Sequence, residues 1–550
     1  MPLKQPGQHF RAGSALISGY IGRLSPLMTS YWKRLSHNGV AVPEPYLAEG
    51  LKVKVRGREV SLPPLAEEMA YHLAKKKDTQ YVKDAYFVTN FTKDFVMLLP
   101  DWCRGAKFEE VDFSPFYEKV EREKRAKETM SKEMKKSLAA ERKTRREALK
   151  AKYGYATVDG KKVEIANWLV EPPGLFMGRG AHPLRGHWKP RVAQRDVILN
   201  LDENSPVPPG EWRQVVHDHN SMWMAKWVDK LTEKEKYVWL HESAPIQQLR
   251  NKAKYDSAIR VGTHLGKIRA KILKELTSRD PRVRQIGTVC YLIDRLGLRV
   301  GDEKEEDEAD TVGATTLRVE HVKLNDGGTI ELNFLGKDSV PWSKKLEGAP
   351  PAVAKNIQEF IARKQSGREV FDGINSSMVN HFLSGIAAGL TAKVFRTHHA
   401  TRVAESYLKT EDLRGREEPE KLYHAKFANL KAAEFCNHQR TVPKNWEDSL
   451  KKRKDSLKEL ESREKRDEKR IRRLKMEISL QTQTKNYNLN TALKNYIDPR
   501  LYKSWGDYVG LDWTKIYTKS MQRKFAWVSY SKTRWETEEK VIEAVTLSKT

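Results

Sequence analysis

Apolar residues three and four positions apart predict the helices of this chain. Ile286, Val289, Ile293 and Leu296 share one helical face that ends at Gly297, which places Arg299 just beyond it. Met378, Phe382, Ile386 and Leu390 predict a second buried face, leading into a Phe395-Arg396-Thr397 turn. Alternation with period two predicts strands instead. Leu51-Lys-Val-Lys-Val55 is one, followed by a helix from Pro63 to Lys75, in a compact α+β module from Tyr31 to about Leu99. Leu317–Leu324 and Thr329–Leu335 predict two strands joined by Asn-Asp-Gly-Gly, a strong hairpin signal, with Lys337 after the second.

Two stretches are poor in apolar residues. Glu118 to Lys152 predicts one long mixed-charge helix ending at Tyr153-Gly154, most of its face solvated. From Glu447 to about Leu480 the sparse apolar positions are Leu450, Leu457 and Leu460, then Ile471, Leu474 and Ile478. They predict an antiparallel helical hairpin with a thin seam, turning near Arg463 to Asp467. The aromatic run Trp223 to Trp239 predicts core packing rather than a stacking platform for bases. Glu171-Pro-Pro-Gly174 is a rigid entry into a loop where glycines around Arg179 allow close backbone approach, and the slender Arg179 tip can enter a groove. The acidic cluster Glu303 to Asp310 lacks the ligand spacing of a calcium loop and reads as a solvated turn.

Composition narrows the partner. Lys and Arg total 101 against 73 Asp and Glu, a formal charge of +28 spread through 550 residues with 14 Trp and 20 Tyr. A polyanion, and nucleic acid before membrane, is the expected partner. No apolar run approaches the roughly 20 residues needed to cross a bilayer. Cys103, Cys290 and Cys436 lie far apart, which argues against a disulfide framework or structural zinc. There is no Gly-x-x-x-x-Gly-Lys-Ser/Thr loop and no His-Glu-x-x-His helix, so neither ATP nor catalytic zinc is indicated and no cofactor is expected. Met1 to Pro43 contains no acidic residue, which suits either a mitochondrial transit peptide or a basic leader of a nuclear protein.

Chemistry is then left to side chains. Lys494-Asn-Tyr-Ile-Asp-Pro-Arg500 suits a polar, phosphate-facing turn around Tyr496. A phenol, with a pKa near 10, becomes a useful nucleophile when cations surround the phosphorus it attacks and an acid protonates the leaving oxygen. Groups of those kinds stand upstream as Arg299, Lys337, Arg396 and His438, the last in Cys436-Asn-His-Gln-Arg440. A nearby His399-x-x-Arg402 pattern reads as incidental.

These stretches, with Pro172–Pro183, Leu298–Glu306, Ala309–Gly313, Leu317–His321, Phe334–Ser339, Leu390–Thr397, Asn495–Arg500 and Lys524–Trp527, resemble the eukaryotic-type type IB DNA topoisomerases over nearly the whole chain after Tyr31. The resemblance implies an α+β multidomain clamp. It has a leader (1–30), an N-terminal α/β cap (31–135), and a second clamp module with the charged helix and the Gly-Arg-Gly loop (136–240). A mostly helical catalytic core with a small antiparallel sheet (241–440), a helical-hairpin linker (441–484) and a small helical C-terminal domain (485–550) follow. It further implies that Tyr496 forms a 3′-phosphotyrosine, that Arg299, Arg396 and His438 hold the non-bridging oxygens, and that Lys337 protonates the leaving 5′-oxygen. Arg179, Asp338 and Asn495 would contact DNA near the cleavage site, with His182 in the same loop as Arg179. The expected partner is supercoiled duplex DNA read with little sequence preference, by a monomer in the nucleus or, alternatively, the mitochondrion.

Departures from the family pattern are Met177 where many relatives have a basic residue, a shorter linker, and about two dozen residues beyond Trp527. A tyrosine recombinase and a catalytically silent DNA clamp are the alternatives to a DNA-relaxing enzyme.

Overall fold

The computed structural model describes residues 30–301, 311–464, 466–533 and 535. The leader, the acidic cluster from Glu303 to Asp310, the stretch after Trp535 and the side chain of Asp338 lie outside what is described. Close to half of the chain is helical, with several small sheets, and it divides into two compact units. The first is Met1–Gln247 with Lys304–Asp310, and the second Gln248–Glu303 with Thr311–Thr550. Among the described residues no helix is long and apolar enough to cross a membrane.

In the first unit the expected strand, Lys52–Val55, pairs with an unexpected second one, Arg58–Ser61, in a hairpin, and Val111–Asp112 joins its other edge. Arg56 and Gly57 both have positive φ, as a two-residue turn with the strands' twist requires. Helices Pro64–Ala74 and Ala85–Val96 close over this sheet, burying Phe87, Phe91 and Phe95 against Val53 and Val55. The single charged helix expected from Glu118 to Lys152 is two helices, Ser114–Thr129 and Lys132–Tyr153. The break has a local cause. Ser131 takes an extended conformation and its hydroxyl accepts from the Met134 N–H at 3.1 Å, starting a new helix. No residue of Lys132–Tyr153 is buried. The aromatic run forms the Trp223–Val228 and Glu235–Trp239 hairpin of a four-stranded sheet, with Trp223, Met224, Ala225 and Trp227 in the core as read.

The second unit is built on two helices, Pro245–Glu275 and Pro281–Leu296. Gly297 ends the latter in the left-handed region at φ 65°. The expected hairpin exists, but its first strand is only Val322–Leu324, because Val319–His321 closes into a short 3-10 turn. Ile330–Gly336 then pairs with a third strand, Val340–Leu346, in a register that stacks Phe334 on Trp342 at 5.0 Å. Along Ser376–Ile386 the fully buried residues are Val379 and Leu383. Met378, Phe382 and Ile386 flank them, and Leu390 is buried beyond the helix end, so the buried face is one residue out of phase with the expected one.

Arg396 is not in a turn but one turn inside the Ala392–Leu408 helix. The Glu418–Phe435 helix packs on it and carries Ala425, Ala428 and Ala432 into a core shared with Tyr502, Trp505 and Phe525 of the C-terminal helices. Between them, Trp446–Ser462 and Glu468–Gln483 form the charged hairpin, its seam closed by Leu460 and Ile471.

Candidate active site

Four of the five candidate catalytic side chains meet in the second unit. Arg396 is 3% exposed, and its guanidinium is held by carbonyl oxygens rather than carboxylates. Nη1 donates to Gly297 O at 3.0 Å, and Nη2 donates to Cys436 O and lies 3.4 Å from His438 Nε2. The helix stop at Gly297 therefore has two uses. It frees a carbonyl for Arg396 and turns the chain so that Arg299 enters the same pocket.

Arg299 lies near enough to Tyr496 for the phenol to act on its guanidinium. Burial first, then repulsion from Arg396, holds its guanidinium below the ordinary arginine range, and the contact with Tyr496 works the other way. Arg396 also lies over the Tyr496 ring, 5.2 Å from its centroid. Neither arginine has a carboxylate partner among the described residues.

His438 is placed by a tight turn. The Glu418–Phe435 helix ends, Asn437 takes positive φ (51°), a conformation that asparagine tolerates, and the chain reverses. His438 N donates to Ala433 O at 2.9 Å, and His438 O accepts from Asn488 N at 2.7 Å. Its ring lies 5.2 Å from that of Tyr496. Burial, with Arg396 and Arg299 adding to it, pushes the imidazole down to about 3, so it is neutral at pH 7. His438 Nδ1 and Arg396 Nε are buried without a hydrogen-bond partner among the described residues.

Tyr496 follows the short Leu489–Asn495 helix and precedes Pro499–Val509, in the turn expected. Its carbonyl accepts from Thr401 Oγ1 at 3.3 Å, and the same hydroxyl accepts from Asp498 N at 3.0 Å. Thr401 thus ties the Tyr496 turn to the helix that carries Arg396. Asn495 O accepts from Lys254 Nζ at 3.0 Å.

Lys337 stands apart from the buried Arg396 and His438 and the half-buried Arg299 and Tyr496, exposed in the Lys337–Ser339 turn of the second hairpin. Its return strand is nevertheless joined to the His438 turn. Asn437 Nδ2 and Gln439 Nε2 both donate to Pro341 O, at 2.8 and 3.4 Å.

Arg179 and His182 belong to the first unit, in a loop bounded by the paired Gly174–Leu175 and Trp188–Lys189 strands. Gly178 and Gly180 have φ of 62° and 58°, and Arg179 between them is exposed. His182 packs edge-on against Phe176 at 4.8 Å, and its Nδ1 accepts from Leu184 N at 3.2 Å, so it shapes the loop.

His399, outside the candidate catalytic set, has a structural contact of its own. Its Nε2 meets Asp294 Oδ1 at 2.7 Å, and Asp294 also accepts from Arg269 Nε at 2.8 Å. Asp294 is 3% exposed, and this network locks the Ala392–Leu408 helix to the two helices beneath it one turn from Arg396. Arg402 pairs on the surface with Glu405, as a bystander would. The roles of Thr401 and Asp294 had no spacing signal, since each acts through a contact distant in sequence.

Three family models together match most of the chain. Residues 30–240 match the eukaryotic DNA topoisomerase I DNA binding fragment, 243–471 the eukaryotic DNA topoisomerase I catalytic core, and 468–537 the C-terminal topoisomerase domain. DNA topoisomerase 1 beta of Arabidopsis thaliana is 37% identical over 539 residues, covering 90% of this chain and 58% of that protein. DNA topoisomerase 1 of Candidozyma auris is 38% identical over 443 residues, covering 78% and 58%. DNA topoisomerase 1 of Homo sapiens is 34% identical over 543 residues, covering 90% and 70%. The chain thus spans 58% of the length of the first two relatives, and with 70% of the human protein covered it belongs to the eukaryotic DNA topoisomerase I family.

Proposed function

We infer that this protein relaxes supercoiled duplex DNA as a type IB topoisomerase. The observation that carries the reading is the buried cationic pocket around Tyr496, with two guanidiniums and an imidazole but no carboxylate among the described residues to balance them. A phosphodiester is the natural counter-ion. Its non-bridging oxygens suit the planar forks of Arg299 and Arg396, and binding it raises the affinity of His438 for a proton.

In the cleavage step the Tyr496 oxygen attacks phosphorus and its proton leaves to solvent. The bond from phosphorus to the 5′-oxygen breaks, and Lys337 supplies a proton to that oxygen. A 3′-phosphotyrosine and a 5′-hydroxyl result. The bond energy stays in the phosphotyrosine, so religation is the reverse step and the reading requires neither ATP nor a metal. Between the two steps the free end rotates. Arg179, His182, Asp338 and Asn495 are proposed as DNA contacts, within the clamp of cap and core that the family resemblance implies. The proposed enzyme is a monomer, in the nucleus or, alternatively, the mitochondrion.

The test is relaxation of a negatively supercoiled plasmid in EDTA without ATP, wild type beside Tyr496→Phe. Wild type should relax the plasmid, and the variant should bind duplex without relaxing or cleaving it. Failure of both to relax a plasmid that both bind would leave a silent DNA clamp. Strand exchange between two marked duplexes would indicate a recombinase.

A further inference from the structure

The geometry points to Lys344 as a positioning residue for the cleavage step, one that fixes the His438 turn against the strand leading from Lys337. The inference rests on the topoisomerase reading of the pocket. Lys344 lies on Val340–Leu346, seven residues from Lys337, and its side chain turns inward. Nζ donates to Phe435 O at 2.7 Å, at the last residue of the Glu418–Phe435 helix. That carbonyl belongs to the helix's C-terminal turn, where a cation is favoured by the exposed oxygens and the helix dipole.

The next residue, Cys436, gives its carbonyl to Arg396, and His438 follows two positions later. Lys344 therefore acts one residue from the anchor of a catalytic arginine and three from the catalytic histidine. With Asn437 and Gln439 on Pro341 O, it makes three attachments of one strand to one turn. Only Lys344 among them carries a charge. The ammonium also sits 5.3 Å from the Trp342 ring centroid and 5.2 Å from that of Phe435, so aromatic faces rather than water surround it.

The other groups around it are mostly cationic or neutral. Arg396 repels it, Cys436 is a buried thiol held protonated by its burial, and His438 is neutral. On the neighbouring strand Glu331 faces Lys345 at 4.0 Å, and on the Pro281–Leu296 helix Asp294 is engaged by Arg269 and His399. Burial, with Arg396 adding to it, brings the Lys344 ammonium down to about 8, although Cys436 pulls the other way. The attachment is therefore fully charged below that pH and weakens as pH rises through it. A DNA phosphate in the pocket raises the value, which places the change at or above pH 8 in the complex.

The experiment is single-turnover cleavage of a suicide duplex from pH 6.5 to 9.5 by wild type, Lys344→Met and Lys344→Arg. Duplex affinity and its salt dependence are measured alongside. Lys344→Met should cleave about tenfold or more slowly at pH 7 with affinity unchanged, because a misplaced group lowers reactivity more than binding. Lys344→Arg, permanently charged, should retain cleavage and lose the alkaline step that wild type shows. Should the Met variant fail to fold, the Arg variant's profile decides alone. Equal rates and a common pH profile in all three would overturn the proposal while leaving the topoisomerase reading intact. No cleavage by wild type would sink that reading instead.

Discussion

The pocket around Tyr496 and the charged hairpin of residues 446–483 use the same cationic residues in opposite ways. In the hairpin, Arg463 pairs with Glu459 at 2.6 Å and Arg473 with Glu477 at 3.2 Å, each at i,i+4 on an exposed helical face. In the pocket, Arg396 is 3% exposed and leans on carbonyl oxygens, with Arg299 and His438 beside it. Surface charges of both signs keep a thin helical pair solvated and add little energy. Buried charges of one sign cost stability, and a fold retains them when a ligand supplies the opposite charge. The contrast separates the proposed phosphate site from a solvated arm, although both hold arginines.

The largest effect should come from changing the shape of a pocket cation while keeping its charge. Arg396→Lys retains one positive charge but cannot donate to Gly297 O, Cys436 O and a phosphate at once. Single-turnover cleavage should fall about 100-fold, the usual size for loss of one transition-state donor. Duplex affinity, spread over many phosphates, should change little. A variant cleaving within a factor of two of wild type would reduce the pocket to a generic positive field.

A second effect tests whether the pocket is dry. His438 has a folded pKa of about 3 against about 6.5 in an unfolded chain. Between those values the unfolded state binds the extra proton, so this residue's contribution lowers stability as pH falls from 6.5 towards 3 and has no such effect above 6.5. His438→Gln should therefore lose less stability than wild type between pH 7 and 5, read by urea unfolding without DNA. His37, His72 and His398, all brought down to about 4, keep a residual slope in both proteins. Equal losses in the two would mean that the imidazole is solvated.

Legibility in the sequence followed the range of the interactions. Gly297, the Lys52–Val55 strand and the Leu460–Ile471 seam depend on local pattern and were readable from periodicity and turn chemistry, whereas the return strand Arg58–Ser61 was not. The break at Ser131 depends on one side-chain bond inside an otherwise helical pattern, which periodicity does not register. Arg396 read as part of a turn, yet it lies in the Ala392–Leu408 helix, which packs against the Glu418–Phe435 helix. The five catalytic candidates were found through motif resemblance. The residues that support them, Thr401, His399, Asp294 and Lys344, are defined by partners 91 to 105 positions away. Spacing carries no information at that distance.

The smallest effect belongs to the hairpin and sets the floor of the comparison. Glu459 precedes Arg463 by one helical turn, the favourable order, but the side chains are 68% and 55% exposed and salt screens them. Arg463→Ala should cost less than about 0.5 kcal/mol in urea unfolding and leave cleavage unchanged. The apolar seam is what holds this end, since Leu460 and Ile471 are its buried residues. Leu460→Ala in the same assay should cost about 2 kcal/mol, the low end for a truncated leucine because the seam has few neighbours to lose. If Arg463→Ala were the costlier change, the hairpin would be held by its ion pairs. Burial would then no longer separate the two regions, and the phosphate argument for the pocket would rest on geometry alone.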